Sequence, residues 1–395
     1  MPNINQQLAN IYLARAFDLE KVKKSSAVKI EAILDDMSKE IIREISDVNP
    51  MGVTRTAYRQ ERINKLFNMA EQTINSQYKA IAGNVKRELF TLAEIESVFA
   101  GKAINSVLGV EIADYVLSRE ALQALASEAL IQGAPSAEWW AKQSVDLQDQ
   151  FKRAMRTGIA KGETLNQLAA RVRGTQSPYV MGIREIVPGV TDMPIENLTK
   201  HAGIMRRAKR NAEALVRTSY QQVMSSARDE VYRKNDDVIR GTEHLSVLDS
   251  RVTPLCAAYS GARWDLDGNP IDGTVLPYPG HPSLHFNCRS VHVPVLRDLE
   301  DILGVSGVSE LPASTQSSFS RTGASGQISS DMNFNDWMKT LDKKEQIQIL
   351  GKKRQEQWES GRMQLADFIS PKNKVSLELR ALQQKTEQGR FWSDD

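Results

Sequence analysis

Cysteine is scarce in this chain of 395 residues, which contains only two. Two cysteines cannot build the disulfide framework of a small secreted domain, so we expect folding in a reducing cytoplasm. Mean hydropathy is -0.41 and no apolar run approaches the length that crosses a bilayer, so no membrane span is expected. The first residues show no basic segment followed by an apolar one, which argues against a secretory signal.

The familiar catalytic signatures are missing as well. The sequence has no Walker-type phosphate loop, no H-E-x-x-H, no G-x-S-x-G, and no deaminase pattern of H-x-E with P-C-x-x-C. We therefore do not expect an enzyme. The net charge of +2 neither favours nor excludes a nucleic-acid partner, so local charge clusters must decide that question.

Helical periodicity dominates the chain. Apolar residues spaced three and four apart form stripes in the first hundred residues, namely Ile30, Leu34, Met37, Ile41 and Ile45, and then Ile63, Phe67, Ala70, Ile74, Tyr78 and Ile81. A stripe of this kind either packs inside a helical bundle or docks on another subunit, and we expect packing. Residues 49–52 break the first two helices apart, and Thr164 with Gln167 predicts a capping box.

Other segments predict the domain organisation. Residues 1–175 form a helical N-terminal region, 176–196 an irregular loop, 197–303 an α+β core, 304–332 a Ser/Gly-rich linker and 333–395 a C-terminal helical region. Residues 245–248 and 262–264 are short strand candidates, and the alternation of Val291, Val293 and Val295 predicts a half-buried strand. The predicted fold is mainly α with a small α+β core, in which long N-terminal helices precede a short antiparallel sheet around a Cys/His cluster.

Residues 242–294 contain both cysteines and four of the five histidines. One arm carries Asp249, Arg251 and Cys256, and the other carries His285, Asn287, Cys288 and Arg289. The Gly/Pro/Asp-rich stretch between them predicts a loop that would bring Cys256 beside His285 and Cys288. We expect Asp249 and Arg251 to fix the turn as a charged pair, and Asn287 to be a turn former.

Three interpretations of this cluster remain open. A structural zinc site would use Cys256, His285 and Cys288, with His281, Asp249 or His244 as the fourth ligand. A Cys256–Cys288 disulfide is the second. The third is a pair of buried thiols and a histidine held by hydrogen bonds, with hydroxyl groups supplied by Thr253 and Ser290. A nucleophilic Cys–His pair is conceivable, but the sequence offers it no evident orienting group.

A dense basic run falls near residue 200, and it comprises Lys200, His201, Arg206, Arg207, Lys209 and Arg210. Such a run usually forms a solvated helix face. It could also contact DNA phosphates without sequence specificity, because Lys and Arg release counterions when they bind a duplex.

The two arms resemble the core of the phage Mu protein F-like family of head morphogenesis (minor head) proteins, which typically shows D-x-R-T-C-x-x-C and then H-P-N-C-R-C. Thr253 and Ser290 stand where that pattern has two further cysteines. The Arg217–Thr218 pair resembles the family's preceding helix, and the stretch from Trp337 to Arg362 resembles its tail.

The resemblance implies a minor head protein of a tailed bacteriophage that binds the portal protein or the major capsid protein, and that could associate with packaged double-stranded DNA. It implies assembly in the host cytoplasm and residence in the virion, in the head interior or at the portal vertex. We expect binding by helical surfaces, with the long N-terminal helices as the portal or capsid contact. A cysteine/histidine-dependent hydrolase or toxin-like effector and a transient scaffold protein are the alternatives.

Overall fold

The computed structural model describes residues 4–52, 56–174, 203–247, 252–281, 283–303, 321–323, 326–328, 334–362, 369–370 and 375–376. These residues are mainly helical and carry small antiparallel sheets, which confirms the predicted fold class. The chain divides into two compact units. The sheet unit comprises Met1–Lys21, Thr91–Leu125 and Gln221–Asp395, and the helical unit comprises Val22–Phe90 and Ala126–Tyr220.

The described helices in chain order are α1 (Ile4–Val48), α2 (Thr56–Leu108), α3 (Arg119–Glu128), α4 (Ser136–Ala160), α5 (Leu165–Arg173), α6 (Ile204–Lys234), α7 (Pro254–Tyr259), α8 (Leu299–Leu303), α9 (Phe334–Thr340), α10 (Lys343–Leu350) and α11 (Lys352–Glu359). The strands are β1 (Leu130–Ile131), β2 (Ala134–Pro135), β3 (Ile239–Leu245), β4 (Arg263–Trp264), β5 (Pro270–Ile271), β6 (Val291–Leu296), β7 (Arg321–Gly323), β8 (Gly326–Ile328), β9 (Ile369–Ser370) and β10 (Val375–Ser376).

In the helical unit, α1 and α2 run antiparallel. Thr73 Oγ1 donates a hydrogen bond to Glu44 Oε1 at 2.7 Å, and Ser26 Oγ donates to Glu88 Oε2 at 2.7 Å. Residue numbers therefore increase along α1 in the direction in which they decrease along α2. The predicted apolar stripe of α1 is buried, with Ile30, Leu34, Met37, Ile41 and Ile45 at most 5% exposed. The packing interpretation of that stripe is therefore confirmed, and these side chains are not available to dock a partner.

Helix α4 adds the third layer of this unit through edge-on aromatic packing. The rings of Phe67 on α2 and Phe151 on α4 lie 6.3 Å apart between centroids in a T-shaped arrangement. The capping box at the start of α5 is present, because the Thr164 side chain accepts from the Gln167 backbone and the Gln167 side chain accepts from the Thr164 backbone.

The region predicted to be helical, residues 1–175, includes an irregular segment. Helix α2 ends at Leu108, Gly109 takes a positive φ of 70°, and residues 111–118 form an irregular segment outside any helix or strand. Asn105 Oδ1 accepts hydrogen bonds from the backbone N–H groups of Ile112 and Ala113. These side-chain hydrogen bonds satisfy backbone N–H groups that would otherwise bond within a helix. The segment can therefore be irregular although its apolar pattern resembles that of a helix.

The sheet unit is built on a four-stranded antiparallel sheet in the order β5-β4-β3-β6. One side of the sheet packs on α1, α2 and α6, and this core is formed by Leu8, Tyr12, Ala100, Ile104, Val231, Tyr232, Ile239, Leu245, Val291, Val293 and Leu296. In the register of β3 and β6, His244 lies opposite His292.

Two strand predictions need correction. Strand β3 ends at Leu245, where the predicted strand was to begin, and Ser246 and Val247 lie outside it. Ser246 Oγ donates a hydrogen bond to the Cys256 carbonyl oxygen at 2.6 Å. The chain leaves the sheet there because Ser246 is bonded to α7 and not to a neighbouring strand. Strand β6 forms as predicted, but all six of its residues are buried, since its second face packs against aromatic rings rather than solvent.

The C-terminal part of the sheet unit begins with α9, α10 and α11. Of the region predicted to be helical at 333–395, the described residues beyond α11 form a short antiparallel pair of strands, β9 and β10. The irregular loop predicted at 176–196 lies outside the described residues. Most of the linker predicted at 304–332 also lies outside them, and its described residues form the hairpin β7–β8.

Candidate metal centre

The Cys/His cluster (Cys256, His285 and Cys288) begins with the short helix α7. Pro254 occupies the first turn of α7, and Thr253 caps it by accepting a hydrogen bond from the Cys256 N–H. Cys256 is only 3% exposed. The cap therefore fixes the helix start that turns the Cys256 thiol inward.

A tight turn delivers the other two members. The Cys288 N–H donates to the His285 carbonyl oxygen at 3.1 Å, and Asn287 takes a positive φ of 64°, a conformation that asparagine tolerates better than most residues. The turn-forming role predicted for Asn287 agrees with this geometry. Residues three apart on such a turn lie on one side of it, so His285 and Cys288 both face Cys256.

The three side chains meet at close range. Cys256 Sγ lies 3.1 Å from His285 Nε2 and 3.6 Å from Cys288 Sγ. Among the described residues, these three are the group of cysteine, histidine and acidic side chains whose ligand atoms converge within 4.8 Å. The loop between the arms thus produces the encounter that the sequence predicts, while both cysteines are free thiols here.

A backbone contact orients the His285 ring. Nδ1 lies 2.8 Å from the Phe286 carbonyl oxygen, which can only accept, so Nδ1 carries the proton and Nε2 presents its lone pair to Cys256. Thr253 Oγ1 lies 3.0 Å from the same Nε2 atom. An imidazole in this tautomer can accept a thiol proton or bind a metal ion.

The two thiols differ in acidity. The hydrogen bond from Cys288 is the main cause that lowers the pKa of Cys256 to about 7, although burial opposes it, and the Ser290 and Thr253 hydroxyls and the positive charge of Arg289 add to the lowering. The same hydrogen bond and burial raise the pKa of Cys288 well above its ordinary value. Cys256 is thus the more acidic of the two thiols, and Cys288 is the hydrogen-bond donor between them.

Apolar side chains from the C-terminal helices pack over the cluster. Cys256 and Cys288 share a core with Trp337 and Met338 of α9 and with Ile349 and Leu350 of α10. Trp337 is 2% exposed and Met338 is fully buried. Sequence reasoning placed Trp337 only as part of a tail, because nothing in the local pattern reveals which surface a distant helix covers.

Neither histidine offered as a fourth zinc ligand lies in the cluster. His281 has its Nε2 atom 4.0 Å from Asp229 Oδ2 on α6, so the loop directs it to that helix instead. His244 sits in the sheet, where its ring centroid lies 5.3 Å from that of His292. Asp249 and Arg251, the third ligand option and its predicted partner, lie outside the described residues.

The remaining predicted residues lie on α6. Thr218 is buried and its Oγ1 atom donates to the Ala214 carbonyl oxygen at 2.6 Å, and Arg217 is half-buried beside it. In the basic run, Arg206, Arg207 and Arg210 are exposed. Lys209 instead forms an ion pair with Asp35 of α1 at 2.6 Å within the helical unit. Lys200 and His201 lie outside the described residues.

Comparison with known proteins gives a family match for the two segments that carry the Cys/His cluster and for the helices that precede them. Residues 149–293 match the family model described as phage Mu protein F like protein. The match covers less than half of the chain, and over these residues the chain is similar to that family. The Mu F-like segment, as we call these residues, runs from the middle of α4 into β6 and contains the whole Cys/His cluster. It ends before α9, α10 and α11.

The match indicates a protein of phage head morphogenesis. No curated protein and no solved structure matches the chain. None of the described helices has the length and apolar character needed to cross a bilayer.

Proposed function

We propose that this protein is a minor head component that binds the portal or the inner face of the capsid shell, and that it contacts packaged double-stranded DNA through α6. It would act by binding and would remain in the virion. The family of the Mu F-like segment supports the setting. The observation that favours binding over turnover is the burial of the Cys/His cluster beneath α9 and α10.

A cysteine hydrolase is the second candidate, because the 3.1 Å contact of Cys256 Sγ with His285 Nε2 resembles an activated nucleophile. A nucleophile must also meet its substrate, and Cys256 is 3% exposed. The His285 Nδ1 atom contacts a backbone carbonyl rather than a carboxylate that would stabilise an imidazolium. The site therefore fits a structural role better than a catalytic one.

The first test is the protein composition of purified heads. We expect mass spectrometry to find this chain both in immature heads and in mature virions, in constant ratio to the portal protein. A chain present in immature heads but lost on maturation would be a scaffold, and a chain absent from both would not be a head component. Either result would refute the proposal.

Cross-linking of intact heads tests the partner. Lys24 on α1 and Lys65 and Lys79 on α2 are exposed, and we expect a lysine-specific reagent to join them to the portal or the shell protein. Lys352 and Lys353 on α11 are exposed as well and provide the comparison within the same chain. Cross-links from α11 alone would place the contact away from the long N-terminal helices.

The DNA contact predicts a change in salt dependence. Replacing Arg206, Arg207 and Arg210 by glutamine should weaken binding to duplexes of any sequence and lower the slope of log affinity against log salt by roughly 3, since each phosphate contact contributes about 0.9. A fluorescence anisotropy titration over a salt series measures this slope. The variant Lys24→Gln/Lys65→Gln/Lys79→Gln loses the same formal charge and should keep the slope. Equal slopes for both variants would show that α6 does not contact DNA.

A further inference from the structure

We propose that Cys256, His285 and Cys288 hold one Zn²⁺ ion, and that this ion fastens the C-terminal helices α9 and α10 to the Mu F-like segment. The two thiols and the imidazole are of the ligand types that zinc prefers. The site shares no residue with those tested for portal, capsid or DNA binding, so its test can fail while theirs succeed, and the reverse.

The separation of the sulfur atoms supports a bridging metal ion. Two thiolates bound at about 2.3 Å in a tetrahedral arrangement lie roughly 3.8 Å apart. Cys256 Sγ and Cys288 Sγ are 3.6 Å apart. A disulfide has a bond of about 2.05 Å, so the sulfur atoms would have to approach by roughly 1.5 Å inside a packed core.

The histidine is already in the required state. Its Nδ1–H group is engaged by the Phe286 carbonyl oxygen, which leaves Nε2 as the coordinating atom. Backbone carbonyls commonly serve metal-binding histidines as such an outer partner. The Nε2 atom lies 3.1 Å from Cys256 Sγ. Ligands of one zinc ion lie roughly 3.5 Å apart, so the ring must withdraw by a few tenths of an ångström.

The hydroxyl of Thr253 stands beside the position that a fourth ligand would take. Thr253 Oγ1 lies 3.0 Å from His285 Nε2 and also caps α7. It could hold a water molecule as the fourth ligand of a Cys₂His site. A cysteine at this position would supply a third thiol ligand in place of the Thr253 hydroxyl.

The same sulfur atoms form part of the surface on which α9 and α10 pack. Trp337, Met338, Ile349 and Leu350 share one apolar core with Cys256 and Cys288. Zinc would link α7 to the turn at 285–288 and so fix the surface against which α9 and α10 pack. Because metal binding energy is released only in the folded site, loss of the ion should loosen the helices that rest on it.

The experiment uses the full chain, purified without chelators. We expect an equimolar zinc content, and a cobalt-substituted protein with the charge-transfer and ligand-field absorption of a tetrahedral thiolate site. Cys256→Ser, Cys288→Ser and His285→Asn should each lose most of the zinc. His281→Asn is the matched control and should retain it, because His281 lies outside the cluster.

Hydrogen exchange tests the link to the C-terminal helices. Removal of zinc by a chelator should speed amide exchange in α7, α9 and α10, while α4 and α5 keep their protection. Zinc that binds without any change in α9 and α10 would overturn the fastening role. Zinc-free protein whose cysteines resist alkylation until reduced would establish a disulfide, and zinc-free protein with two reactive thiols would establish plain buried thiols. Each of these zinc-free results would overturn the metal site.

Discussion

Replacing Arg228 with methionine is expected to lower the free energy of unfolding by roughly 3–5 kcal/mol. Arg228 and Glu96 are 1% and 0% exposed, and the Arg228 guanidinium donates two hydrogen bonds to Glu96 Oε2. Methionine fills the volume of the arginine stem but provides no charge. The variant would leave the Glu96 carboxylate in the core of the sheet unit with one of its two cationic partners gone, which is the costly case for a buried ion pair.

The surroundings of this pair explain why water cannot replace the lost partner. The Arg228 guanidinium lies 5.0 Å from the ring centroid of Tyr12 and 5.3 Å from that of Phe99. Arg15, the second partner of Glu96 at 2.7 Å, is partly exposed and lies 5.0 Å from the Phe99 ring centroid. The partners thus come from α1, α2 and α6, and the pair joins these three helices inside one unit.

Denaturant unfolding followed by circular dichroism would measure the loss. The double variant Glu96→Gln/Arg228→Met removes both charges and should recover a large part of the stability, because the uncompensated carboxylate is gone. Lys21→Met breaks an exposed pair with Asp18 and should change the stability by less than about 1 kcal/mol. A loss below about 1 kcal/mol for Arg228→Met would show that Glu96 finds another partner.

Acidification below about pH 6.5 is expected to destabilise the folded protein through His244 and His292. Burial is the main cause that lowers the pKa of His244 to about 4, although electrostatic interactions with Cys288 and Glu243 oppose it. Burial also lowers the pKa of His292 well below its ordinary value, and the neighbouring His244 and His281 add to the lowering. Among the described residues, no ring nitrogen of either histidine has a hydrogen-bond partner.

The direction follows from proton binding. Well above the ordinary histidine pKa of about 6.5, both histidines are neutral in the folded and the unfolded chain, so their contribution is fully present there. As the pH falls, the unfolded chain binds protons that the folded chain refuses, and stability is lost between about pH 6.5 and the folded pKa. The shift of His244 alone amounts to roughly 3 kcal/mol over that window.

Urea unfolding at a series of pH values would measure this slope. His244→Phe and His292→Phe should each flatten it, whatever they do to stability at neutral pH. Val293→Ala is the control in the same strand, since it creates a cavity and should lower stability equally across the range. A slope unchanged in both histidine variants would assign the acid sensitivity to other groups.

What could be predicted from the sequence is mostly local. The helix start at Thr164 follows from a short pattern of residues, and the break at residues 49–52 follows from proline and glycine. The meeting of Cys256 with His285 and Cys288 was predicted because a turn-rich loop joins two short arms. The Thr253 hydroxyl beside His285 was also among the predicted interpretations.

The features that escaped prediction depend on partners far apart in sequence. His281 was assigned to the cluster because of its residue type, but its loop position directs it to Asp229, 52 positions earlier. The cover provided by Trp337 and the partnership of Arg228 with Glu96 join segments that no periodicity relates. Strand β6 was expected to face solvent on one side, because alternation of valines cannot reveal that histidine and tryptophan rings would bury the other.

The limits of the Mu F-like segment differ from the limits of the fold around it. The match ends at residue 293, inside β6, which continues to Leu296. The Leu296 N–H donates to Asn5 Oδ1 at 2.9 Å, so the last residue of that strand is tied to the beginning of α1. A recombinant fragment trimmed to the match would therefore sever a strand and discard the helices that bury it. Expression should start from the whole polypeptide, and an insoluble fragment would say nothing against the assignment.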